Sequence, residues 1–458
     1  MDKPTRIVIV GGGYTGIWTY KHLRRTIGGL IKQGKVHITV IAPKPYHSFH
    51  GFTAEALCGI LSIVNRQSPL RMVMPNARIV LGNAERINLA EKTVTVKLII
   101  EDVQQDIPYD HLVLANGSYD TVESVPGMMQ HGFSLKAPGG VQATRNHLVR
   151  MIEFADAIDD PQQIKEALGI VVGGGGFAGV EMAANIAEWL HDLRKIYPVL
   201  TRYSPRVVLV HSGHALISQL RPQYDHLADY ATTELRKWGI EIKLSTRLTE
   251  VGENTATLSD GTVIPTKTVI STIGQRTTIL AGTESLPRSE KNLIIADAYL
   301  HVQGQSMVWT GGDTAQVMHV SGQPCPANAL WAIMHGVTLG RNLGRTILGK
   351  PLEKFSYRGL GQSASLGLGK GSTELYGGQY TGWIGWLLRF FFFIYFVPSR
   401  RQMVRIVLDW LTFPFLGRYR DMTALYHQNP LSENAPAAIA VPIPANPTQP
   451  SAVQGQPQ

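Results

Sequence analysis

Two sets of three glycines are the residues whose type and spacing point most directly to chemistry. Gly11, Gly13 and Gly16 spell GxGxxG directly after the β-branched run RIVIV, and Gly174, Gly176 and Gly179 repeat the spacing in LGIVVGGGGFAGVE. After a strand and before a helix, the first glycine permits a tight turn, the second lets backbone approach a pyrophosphate, and the third allows close helix packing. The helix that follows aims its unpaired N-terminal amides at the anion. Each set predicts a cradle for one dinucleotide, and two cradles suit a pair of dinucleotides between which hydride passes. For the second set, a tight turn without a ligand is the bland alternative.

Other chemistries are poorly supplied. Cys58 and Cys325 are the only cysteines. They are far apart and form no CxxC pair, so two small buried hydrophobes are expected rather than a disulfide scaffold. Disulfide reduction needs two thiols within mutual reach, which this spacing does not offer. No metal-ligand spacing is present. The formal charge of +9 suits an anionic partner such as acidic lipid or a phosphate-bearing cofactor. Nucleic acid is disfavoured, because there is no zinc spacing, no aromatic RNA-binding signature and no long basic block.

The elements that must position the glycines are equally regular. RIVIV at 6–10 and VHITVIA ending at Ala42 flank the first turn, and the run from Leu168 and RVVLVHS ending at Ser212 flank the second. The sequence thus spells βαβ twice. YDHLVLANGS at 109–118, VISTIGQ at 269–275 and VWTGGDTA at 308–315 read as further strands ending in small residues. The expected class is α/β with two Rossmann-like dinucleotide-binding domains, the second inserted in the first: 1–140 and 286–372 for one, 141–285 for the other. Residues 373–427 form a C-terminal amphipathic helical segment, and the Pro-, Ala-, Gln- and Asn-rich 428–458 cannot bury enough surface to order itself.

Each fold lacks an expected carboxylate at the end of its second strand, the usual acceptor for ribose hydroxyls. That position is Ala42 in the first fold and His211 in the second. Losing the second acid removes repulsion against a 2′-phosphate, but no arginine follows His211. NADH is therefore expected, with NADPH permitted.

The run GWIGWLLRFFFFIYFV at 382–397 has an arginine inside and falls short of the ~20 residues a spanning helix needs. It is expected to lie on a bilayer, with Trp383, Trp386 and Tyr395 at the interface and Arg400, Arg401, Arg405, Arg418 and Arg420 reaching anionic headgroups. A buried hairpin closing a homodimer is the alternative. The opening MDKPTRIVIVGGG runs straight into a strand, so a cytoplasmic start is expected.

Taken in order, GGGYTG, YHSF at 46–49 with GFTAEALCGILS, SPLR at 68–71, LANG at 114–117, GGGGFAGVE, GGDTA and the aromatic segments after YRGLG resemble the type II NADH dehydrogenases. These are single-subunit, non-proton-pumping NADH:quinone oxidoreductases within the pyridine nucleotide-disulfide oxidoreductase fold family, and the likeness runs over residues 5–425. The resemblance implies FAD in the first fold, with Gly12, Tyr14, Thr15, Pro43, Lys44, His47, Ala115, Asn116, Gly117 and Ala329 around it. It also implies that Asp313 holds the ribityl chain, with Gly312 and Thr314 near the phosphates. Phe177 and Gly274 would be cofactor-binding residues, and the catalytic Glu181 would sit beside the nicotinamide. For Asp313 a helix N-cap, and for Glu181 a first-turn acid favoured by the helix dipole, are the structural alternatives.

The resemblance further implies a membrane quinone as acceptor and a peripheral, monotopic protein on the cytoplasmic face of the inner or plasma membrane. One motif departs from the family. Where members carry AQxAxQ, this chain reads PCPANALWAIMHG at 324–336, so the quinone-pocket glutamines become Leu330 and Met334, or the first becomes Asn328. The departure leaves another lipophilic acceptor, or a flavin-binding protein without turnover, as rival readings. His47, His319 and His335 are candidate proton donors by residue type alone.

Overall fold

A computed structural model describes residues 3–418. The disordered tail expected at 428–458, the last part of the C-terminal segment and Arg420 lie outside the described residues. The first sheet has seven strands, in the order Val308–Thr310, His111–Leu114, Thr5–Val10, Val36–Ala42, Ala77–Asn88, Thr93–Leu98 and Gln104–Pro108. Its central strands run parallel, and Thr5–Val10 and His111–Leu114 at its middle are almost wholly apolar and buried.

The second sheet has five parallel strands, ordered Gly132–Ser134, Thr268–Ser271, Gly169–Gly173, Arg206–Val210 and Glu241–Lys243. Val308–Thr310 returns to the first sheet after the second is complete, so the second fold is inserted in the first. The second sheet draws in Gly132–Ser134, ahead of the boundary at 141. A short antiparallel pair, Ser118–Asp120 with Gln275–Thr277, ties the two folds together where the chain leaves one and re-enters the other.

The helix Tyr14–Lys32 packs along the helix Ala329–Ile347 unusually closely. Gly336, Gly340 and Gly344 fall four residues apart on one face, and Cβ atoms there would lie 2.5 Å from the Thr15 carbonyl, 2.3 Å from the Thr19 carbonyl and 2.7 Å from the Thr26 side chain. The bare stripe lets the two backbones meet, which fixes the late segment against the first glycine turn. A three-stranded sheet, Gly361–Ser365, Gly371–Leu375 and Gly378–Thr381, leads into the helices Gly382–Tyr395 and Arg400–Leu416. No helix among the described residues is long and apolar enough to cross a membrane.

Candidate dinucleotide and redox site

Both glycine turns form open nests. Gly11 takes φ +121°, and a Cβ on it would lie 2.1 Å from the Ala115 carbonyl oxygen, while one on Gly16 would lie 2.0 Å from that of Gly11. Gly13, which caps the helix Tyr14–Lys32, faces empty space with nothing within 4 Å of its would-be Cβ. The outer glycines thus serve close packing and the middle one leaves room for an anion. The second nest repeats this arrangement. Gly174 has φ +112°, Gly179 would place a Cβ 1.8 Å from the Gly174 carbonyl, and Gly176 has no atom nearer than 3.8 Å. The residues present fit a diphosphate at each turn.

Residues distant in sequence close in on the first nest. Thr15 Oγ1 donates to the Ala332 carbonyl at 3.1 Å, and the Gly117 N–H donates to Thr314 Oγ1 at 2.8 Å. Gly312, at φ +72°, donates its N–H to His335 Nδ1 at 3.0 Å. Asp313 is not a cap: its turn is capped by Gly311 without a side-chain bond, and its carboxylate accepts from Ser118 Oγ at 2.7 Å. Ser118 in turn accepts from Lys136 Nζ at 3.2 Å. Asn116 Nδ2 donates to the Thr278 carbonyl at 3.0 Å, bridging toward the second fold, where Gly274 turns with φ +59°.

On the other flank of the first nest, Ala42 packs on Gly12, whose would-be Cβ would lie 3.0 Å from that of Ala42. The position of the missing ribose acid is therefore filled by close packing. Pro43 is exposed and Lys44 half-buried, with burial lowering the Lys44 pKa. His47 is buried edge-on to Tyr14 at 4.4 Å, and burial drives its pKa down to about 3. Asn328 caps the helix that begins at Ala329, accepting the Trp331 N–H at 3.1 Å. Leu330 and Met334 are half-buried on that helix.

At the second nest His211 stands where the acid is missing, and its Nδ1 accepts the Gly175 N–H at 3.1 Å. Burial lowers its pKa, so the imidazole is neutral and spent on the turn itself. Phe177 opens the helix Phe177–Leu193, which carries Glu181. This carboxylate is not a first-turn acid. Its Oε1 accepts the Ser365 N–H at 2.8 Å and Arg389 Nε at 3.0 Å, with Arg389 Nη2 at 2.8 Å. The same guanidinium reaches Glu55 Oε1 at 2.5 Å and the Gly51 carbonyl at 2.7 Å. Burial pushes the Glu181 carboxyl up to about 7; Arg389 opposes the rise and Glu55 adds to it.

The family model of the pyridine nucleotide-disulphide oxidoreductases matches residues 5–336. The chain belongs to that family. Among curated relatives, it is similar to the type II NADH:quinone oxidoreductase Ndh of Mycobacterium tuberculosis, 26% identical with 92% of this chain and 90% of the relative covered. It is also similar to the demethylphylloquinone reductase NdbB of Synechocystis, 24% identical over 90% and 97%. Among solved structures, NDH2 from Plasmodium falciparum in complex with NADH superposes with a TM-score of 0.82 at 14% identity, covering 91% of this chain and 99% of that one. The sulfide:quinone oxidoreductase of Aquifex aeolicus gives 0.67 at 16%, covering 90% and 95%. At these identities the structural matches show a shared fold.

Several expectations for this pyridine nucleotide-disulphide oxidoreductase need correction. Arg418 does not face headgroups: it is buried, pairing with Glu188 and with Asp192 at 2.9 Å, because its helix end turns inward beside Gly59. Trp386 is also buried, stacked on Phe390 at 5.9 Å and edge-on to Trp410 at 5.0 Å. Trp383 and Tyr395 remain exposed. His335 accepts from Gly312, and burial lowers its pKa to about 3, which leaves it no proton to give near neutral pH. Cys58 and Cys325 are free thiols; burial raises both pKa values, that of Cys325 to about 12. Arg389 is a functional candidate that the sequence pattern alone does not single out. The available signal was a lone cation amid aromatic residues, since a charge in such a run has to find a buried partner.

Proposed function

We propose that the chain is an FAD-dependent NAD(P)H:quinone oxidoreductase of the type II NADH dehydrogenase kind. The observation that carries this reading is the pair of open nests in interlocked folds, each opening a helix, the second helix carrying Glu181. FAD held at the first nest would accept hydride from NAD(P)H at the second and supply the electron pair to a lipid-soluble quinone. The chain's own work is positioning, since hydride transfer needs no acid or base and depends on how the rings are held. The amides at Gly13 and Gly176 would anchor the two diphosphates, Asp313 would take a ribityl hydroxyl, and Glu181 would border the nicotinamide. With its carboxyl raised to about 7, Glu181 is suited to exchange a proton near neutral pH. His47 and His335 are not.

The acceptor is proposed to arrive from a membrane on which the C-terminal hairpin lies. Along the helix Gly382–Tyr395 the exposed positions are Trp383, Ile384, Leu387, Phe391 and Tyr395, and along Arg400–Leu416 they include Val404, Leu408, Leu411 and Phe415. The helical spacing gathers these side chains on the outer faces of the two helices, as in an interfacial anchor. Anaerobic titration of the purified protein with NADH and then NADPH should bleach the flavin, and a ubiquinone or menaquinone analogue should restore the colour. Absence of quinone-dependent oxidation with either nucleotide would overturn the assignment.

A further inference from the structure

The flank of the helix Arg400–Leu416 carries a groove outside the two glycine nests. It has a volume of about 290 Å³ and is lined by Pro45, Tyr46, Val64, Met72, Arg401 and Arg405, with Gln67, Pro69 and Gln402 completing the wall. Arg401 and Arg405 are one helical turn apart and so point the same way. Neither makes an ion pair or a side-chain hydrogen bond among the described residues, and no lining residue is acidic. Two other arginines of the hairpin differ: Arg389 and Arg418 are buried against carboxylates.

The walls are fixed. Gln402 Nε2 donates to the Val64 and Gln67 carbonyls at 3.0 and 2.6 Å, clamping the helix to the loop opposite. Of the lining residues, Val64 and Met72 are apolar and exposed, at 59% and 52%. Two guanidiniums that are unpaired among the described residues, at the edge of a mostly apolar groove, match an anionic headgroup whose acyl chains lie along the apolar wall. Paired guanidiniums bind a phosphate through several charge-assisted hydrogen bonds. A soluble nucleotide would gain nothing from the exposed apolar wall.

We propose that this groove is a site for the headgroup of an acidic phospholipid, held by Arg401 and Arg405 with the Tyr46 side chain on the opposite wall. The proposal rests on the reading that the hairpin lies on a bilayer. It adds a lipid preference to that reading, placing one anionic lipid beside the strand pair that carries His47. A cation near a charged membrane surface strengthens attachment by about fivefold, so the pair together accounts for roughly 20- to 30-fold.

The test is co-sedimentation of the flavin-loaded full chain with vesicles of phosphatidylcholine alone and of phosphatidylcholine with one-fifth phosphatidylglycerol. The wild-type chain should bind both kinds and favour the acidic ones. Arg401→Gln with Arg405→Gln should keep neutral-vesicle binding and lose most of that preference. Arg247→Gln with Lys291→Gln, which removes two exposed charges elsewhere, should retain it. Equal losses in the two double variants would overturn the site in favour of bulk charge, and so would an unchanged preference in the first. Wild-type failure to bind neutral vesicles would instead strike the membrane reading; binding both kinds equally would strike the headgroup site alone.

Discussion

Around the first nest, hydrogen bonds run from Thr15 to Ala332, from Gly117 to Thr314 and from Gly312 to His335. A ligand seated there is enclosed by segments from the beginning, middle and end of the fold. Around the second nest, the bonds run from Gly175 to His211 and from Thr272 to the Gly173 and Gly174 carbonyls, all within one sheet and its turns. The same glycine spacing therefore sits in two mechanical settings. A ligand at the first would be expected to leave more slowly, since distant segments meet there, than one at the second, where the turn bonds are local. Retention at one site and turnover at the other are what a bound flavin and a nicotinamide co-substrate require.

The sharpest way to break that contrast is to fill each nest in turn. Gly13 and Gly176 have extended backbone and open space ahead of them, so valine at either position is compatible with folding and obstructs only the diphosphate. Gly13→Val should purify colourless and inactive. Gly176→Val should stay yellow but resist bleaching, with KM for NADH raised roughly 100-fold or more. Absorbance spectra and NADH titrations read both outcomes. Loss of flavin from both variants would erase the distinction between the nests.

A smaller but still large effect concerns what ties the second nest to the hairpin. Arg389→Gln leaves Glu181 and Glu55 facing each other without their shared cation, at a cost of about 3–5 kcal/mol, measurable by denaturant unfolding. Glu181 also sets a pH dependence whose sign follows from its raised pKa. Below about pH 4.5 the carboxyl is protonated in folded and unfolded chains alike, and this contribution to stability is fully present. As pH rises toward about 7 the unfolded chain releases its proton first, so stability falls across that window. The loss is roughly 2–3 kcal/mol. Glu181→Gln should flatten the corresponding decline in Tm between pH 4.5 and 7.5, and an equally steep decline in the variant would show that another group is responsible.

The part of this contrast that could be read from sequence is local. GxGxxG, the strands around it and the GGDTA turn each lie within a few residues, so their geometry follows from short-range sterics. Missing from the sequence was the knowledge of which side chains meet across the chain. Arg389 looked like a reason for the hairpin to stay at a surface, yet it is the buried link to Glu55 and Glu181, 334 and 208 residues away. Arg418 was misread for the same reason: proximity to an aromatic run says nothing about which way a helix end turns. His211 was recognised as a missing acid, but its bond to the Gly175 amide depends on how a strand end meets the neighbouring turn, which spacing does not encode.

The smallest expected effect tests whether the late helix serves the first nest or the acceptor. Asn328 satisfies the Trp331 amide, and removing such a cap costs about 1 kcal/mol. Among the described residues that helix bonds to the first nest's surroundings through Ala332 and His335. Asn328→Ala should therefore lower Tm by about 1 °C and speed flavin release while leaving KM for NADH unchanged. Asn328→Asp, which preserves the cap, should behave like the wild type in both respects. If instead both variants raised KM for a quinone analogue with no change in flavin release, Asn328 would belong to the acceptor pocket rather than to the clamp on the first nest.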